Sequence, residues 1–102
     1  MSVGQSVGIP MALLVLGLHG RPAAPCADVA AVAGMTAQAR HDGVPARVFF
    51  PILARTLARM PARQGLRRLA GEVWADPMTP YLDPRALMQG YLEECRRTKG
   101  GP

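Results

Sequence analysis

LRRLAGEVWADPMTPYLDPRALMQGYLEEC, residues 66–95, decides the fold. Leu66, Leu69, Ala70, Val73 and Trp74 recur at helical spacing, and Asp76-Pro77 then ends the helix. Met78 to Leu82 reads as a proline-punctuated loop. Asp83 is a good N-cap and Pro84 a good first helical residue, so a last helix starts there. On that helix Leu87, Met88, Tyr91, Leu92 and Cys95 fill one arc, and Gln89, Gly90, Glu93, Glu94, Arg96 and Arg97 the other. A cysteine inside an apolar arc faces the core.

Its only possible intramolecular partner is Cys26. The run CADVAAVAGMTAQARHD, residues 26–42, is rich in alanine, the best helix former, and ends at Gly43, which suits a left-handed C-cap. Cys26, Ala30, Ala33 and Ala37 make one narrow stripe of small side chains, against which another helix can come close. A second helix is predicted from about Arg47 to Met60, with Phe49, Leu53, Leu57 and Met60 inward. Pro51 discourages a helical Phe50, so the start of that helix is not fixed by pattern. Pro61 is placed as the first residue of a third helix running to Ala75.

Four helices joined by short connections predict an all-α, up-down four-helix bundle. In that topology the start of the first helix and the end of the fourth lie at one end, where Cys26 and Cys95 would meet. A disulfide there closes a long loop and removes about 4 kcal/mol of unfolded-state entropy. A 102-residue chain in which much of the 49% apolar fraction is alanine gains substantially from such a clamp.

The clamp implies an oxidising compartment. MALLVLGL, residues 11–18, is too short to span a bilayer but fits the core of a signal peptide. The expected organisation is therefore a leader over 1–24, a helical domain over 25–97 and a flexible tail over 98–102, with a periplasmic or secreted location. The alternative is an N-terminal arm of a cytosolic protein, with Cys26 and Cys95 as free thiols. Lipidation of Cys26 is disfavoured by Pro25 before it.

Chemistry-bearing constellations are sparse. Ser2 and Ser6 are the only serines, so the domain has no serine nucleophile once the leader is lost. His41, the one histidine outside the leader, is a candidate partner for a cysteine, but no orienting group accompanies it. Two cysteines and one histidine do not make a zinc pattern. Neither a cofactor nor a small-molecule substrate is predicted.

The net charge of +5 rests on eleven arginines and one lysine. Arg55, Arg59, Arg63 and Arg67 recur every four residues, with Arg68 beside them, a candidate ridge for an anionic partner such as a lipid surface or nucleic acid. Pro61 interrupts it, and Arg63 and Arg67 are alternatively placed across the Trp74 ring. A helix-turn-helix reading, with the third helix as recognition helix, conflicts with export. Tyr81 and Met78 are either an exposed binding tip or, with Tyr81 packed on the bundle end, a plug; the plug is the favoured placement.

Cys26, the RHDGVP turn at 40–45, EVWADP at 72–77, Asp83-Pro84 and Cys95 together resemble a set of small exported helical proteins of Gram-negative bacteria. Those proteins have a cysteine opening the first mature helix and another in the last helix, and the resemblance implies no activity. More distantly, the final segment is similar to periplasmic immunity proteins against type VI secreted amidases. The combined expectation is a non-enzymatic protein-interaction or accessory module of the cell envelope, with an envelope protein as partner.

Overall fold

The computed structural model describes residues 24–100. It is an all-helical bundle: α1 (Cys26–His41), α2 (Ala46–Leu57), α3 (Arg63–Ala75), a 3-10 turn (Thr79–Tyr81) and α4 (Pro84–Gly100). The proposed leader, including residues 11–18, falls almost entirely outside the described residues. Among those described, no helix is long and apolar enough to cross a membrane.

The four helices are closed by one disulfide, Cys26–Cys95, with the two Cα atoms 5.6 Å apart. Small side chains make that approach possible. Ala30, Ala33 and Ala37 of the predicted stripe are buried, and a Cβ added at Gly34 would stand 3.2 Å from Met88 Cβ and Sδ of α4. Moving along α1 from Cys26 to Gly34 corresponds to moving back along α4 from Cys95 to Met88, so the pair is antiparallel. At the clamped end the Lys99 ammonium donates to the Ala24 carbonyl.

Neighbour order is where the structure departs from a simple up-down ring. α1 is central and packs against α4, α3 and the 3-10 turn, while α2 packs chiefly on α3. The α1–α3 pair thus stands between α2 and α4. Alanines explain this: with little volume of its own, α1 has room for a helix on either side. The main core joins Val32 and Ala39 of α1, Phe49, Leu53 and Leu57 of α2, and Leu66 and Ala70 of α3. A smaller cluster of Ala33, Ala37 and Val73 is covered by Leu69, Leu87 and Tyr91.

Element ends follow local chemistry. Gly43 has φ of 76°; its N–H donates to Arg40 O at 3.2 Å and that of Val44 to Ala39 O at 2.9 Å, a Schellman termination. Gly43→Ala forces a Cβ into the left-handed region and is expected to cost about 1 kcal/mol, read as a lower thermal midpoint. An unchanged midpoint would show that the turn does not depend on glycine. At α4, Asp83 Oδ1 accepts from the Arg85 N–H at 3.1 Å, the predicted N-cap.

Three boundaries differ from the sequence reading. α2 starts at Ala46 and ends at Leu57, three residues short of the predicted Met60; it runs through Pro51 because a proline in its second turn removes the donor only to the Arg47 carbonyl, and Arg47 is exposed. Pro61 lies in the α2–α3 turn, and α3 begins at Arg63; the Arg63 N–H donates to Met60 O at 3.2 Å, placing Pro61 where its fixed φ suits a turn. Finally, α4 continues to Gly100, through three residues assigned to the tail, with the Thr98 hydroxyl bonded to the Glu94 and Cys95 carbonyls.

Candidate functional site

The segment between α3 and α4 builds the most distinctive surface. Asp76 Oδ1 accepts from the Met78 N–H at 2.9 Å, and the buried Thr79 hydroxyl donates to the Val73 carbonyl at 2.6 Å. Thr79 thereby satisfies a carbonyl that α3 leaves unpaired at its C-terminus. With Thr79 turned in, its neighbours are turned out. Tyr81 is 81% exposed and Met78 56% exposed. This corrects the plug placement of Tyr81: the residue that seals the bundle end is Thr79, whose short side chain reaches a backbone acceptor that a tyrosine there would bury.

From this tip an apolar groove continues along α4. Leu82, Asp83, Ala86, Leu87, Gly90, Tyr91 and Glu94 line an open depression of about 460 Å³. Its floor exists because no residue of α4 from 84 to 99 is fully buried; Leu87 and Tyr91 are half-buried and leave apolar surface uncovered. The Tyr91 phenol is pushed above its ordinary pKa, first by burial and then by the nearby Glu72 and Asp76 carboxylates. It stays protonated at neutral pH and offers a hydrogen-bond donor.

Charge is segregated along the chain. Residues 46–71 carry six arginines and no carboxylate, whereas residues 72–95 carry Glu72, Asp76, Asp83, Glu93 and Glu94 against Arg85 alone. Within a protein of net charge +5, the tip and groove therefore lie in an acidic stretch. The basic stretch belongs to α2 and the first half of α3. That contrast is readable from the chain, but its relation to a groove is not.

The arginine ridge is distributed over three elements. Arg55 lies on α2, Arg59 in the turn, and Arg63, Arg67 and Arg68 on α3; all five are exposed. The break between α2 and α3 keeps them off one continuous helix. None of them stacks on the indole. Arg40 of α1 does, its guanidinium carbon 5.4 Å from the Trp74 ring centroid, while Phe49 stacks on the same indole at 5.4 Å and Phe50 meets it edge-on at 5.3 Å. Arg40 sits half-buried in the last turn of α1, and its Nε is buried with no hydrogen-bond partner among the described residues.

The remaining candidates resolve simply. Both cysteine sulfurs are bonded to each other, so neither is a thiol for His41, which is exposed at the end of α1. Among the described residues no group of three or more His, Cys, Asp or Glu side chains could hold a metal ion. No family model, curated protein or solved structure matches this chain, so the reading of the tip and groove rests on their own geometry.

Proposed function

We propose that this domain is an exported protein-binding module, and that its tip and α4 groove seat an apolar segment of a partner protein bearing a basic side chain. The carrying observation is the exposed Tyr81 with Met78, continuous through Leu82 with the groove. Tyrosine and methionine are enriched at protein interfaces, and a half-covered apolar floor rewards a partner that completes its burial. Asp83 at the groove's edge, inside an otherwise basic protein, supplies complementarity to a lysine or arginine, while Glu94, which also lines the groove, is already paired with Arg97. Export is supported by the disulfide, which belongs to an oxidising compartment, and by the signal-like run at 11–18.

Two measurements test this. The intact mass of the native protein, with and without thiol alkylation, reports leader removal and disulfide formation together; a full-length chain with two alkylated thiols would end the export reading. Capture from cell-envelope extract by the wild type should survive moderate salt. Binding of the captured partner should weaken at least tenfold in Tyr81→Ala with Leu82→Ala, at unchanged thermal stability. Undiminished binding by that variant would remove the tip and groove from the interface.

A further inference from the structure

A second surface lies on the other flank of the α1–α3 pair, and it has the opposite charge. α2 buries Phe49, Leu53 and Leu57 and turns Val48 and Ile52 outward, 44% and 49% exposed. On the helix these two aliphatic residues share an arc with Arg55 and Thr56, and Arg47 and Pro51 follow beside them. Arg59 comes just past the helix end, in the turn. No carboxylate occurs from residue 46 to residue 71, so nothing on this stretch neutralises its six arginines.

We infer that the outer face of α2 docks on an anionic phospholipid surface, with Val48 and Ile52 entering the headgroup boundary and Arg47, Arg55 and Arg59 held at phosphate level. The inference is independent of the groove reading. Charge complementarity names the sign of the partner, and the aliphatic pair names its kind. A nucleic acid would be met by polar or aromatic side chains between the cations, to hydrogen-bond or stack on bases, and Val48 and Ile52 do neither. A headgroup boundary accepts aliphatic side chains while arginines beside them extend their stems to keep the charge in water. Because the larger apolar side chains of α2 are committed to the core, insertion is shallow and the contact reversible.

The test uses the oxidised full chain and sedimentation with vesicles of phosphatidylcholine alone or mixed with phosphatidylglycerol, and a short DNA duplex in parallel. Binding is expected to the mixed vesicles only, to fall as salt rises, and to weaken about fivefold for each of Arg47→Ser, Arg55→Ser and Arg59→Ser. Val48→Ser with Ile52→Ser, which keeps every charge, should weaken it severalfold again, whereas Tyr81→Ala should leave it unchanged. Circular dichroism and the thermal midpoint confirm that these exposed substitutions leave the fold intact. Equal binding to neutral vesicles, no binding to anionic ones, or binding to duplex DNA that ignores Val48 and Ile52 would each overturn the inference.

Discussion

Cys26→Ala combined with Cys95→Ala is expected to lower stability by about 4 kcal/mol. The bond closes a loop of 69 residues in sequence, and loop-closure entropy on that scale gives this figure. At roughly 4–8 °C per kcal/mol for a domain of this size, the thermal midpoint should fall on the order of 20 °C. The loss should not be uniform. From 84 to 99 α4 holds no fully buried residue and relies on the half-buried Leu87, Met88, Tyr91 and Leu92 and on the sulfur bridge. Its backbone amides should therefore lose hydrogen-exchange protection before those of α1 and α3 when the protein is reduced. A midpoint that does not move on reduction would mean that the helix faces alone hold α4, and the clamp would be dispensable.

The clamp was legible because two independent patterns agree on it. Helical spacing sets Cys95 in the apolar arc of α4, and antiparallel packing returns that arc to the residue that opens α1. Start and stop signals made of single side chains were equally legible: Asp83 caps α4 and Gly43 terminates α1, since each acts on backbone groups within four residues of itself. What was not legible depends on contacts between distant parts of the chain. Pattern alone does not say whether Arg40 or Arg67 reaches Trp74, because both lie within reach of a helix edge; the packing of α1 on α3 decides it. Nor does it say that Thr79, one of two turn residues able to seal the bundle end, takes the buried place and sends Tyr81 outward. The tip is thus a product of one hydrogen bond to the end of α3, and no local signal announces it. The break in the ridge of arginines, by contrast, was legible: Pro61 interrupts it in the sequence, and the chain turns at 58–62.

Leu66→Ala should cost 2–5 kcal/mol, toward the upper part of that range. Leu66 is 1% exposed and belongs to the cluster that joins α1, α2 and α3. Relaxation into the vacated space is limited here. α1 offers Val32 and Ala39 at that cluster, side chains too short to follow a retreating neighbour, and the bridge to Cys95 fixes the end of α1 from which any shift would have to start. Leu82→Ala deletes the same three carbons from a position open to the groove, and should change stability by no more than about 0.5 kcal/mol. Urea unfolding of the two variants, with slopes equal to that of the wild type, separates these cases. A cost below about 1 kcal/mol for Leu66→Ala would mean that the three helices do not pack tightly at that point. A Leu82→Ala cost equal to that of Leu66→Ala would make Leu82 a structural residue, and the groove would then lose its claim to be a surface kept open for a partner.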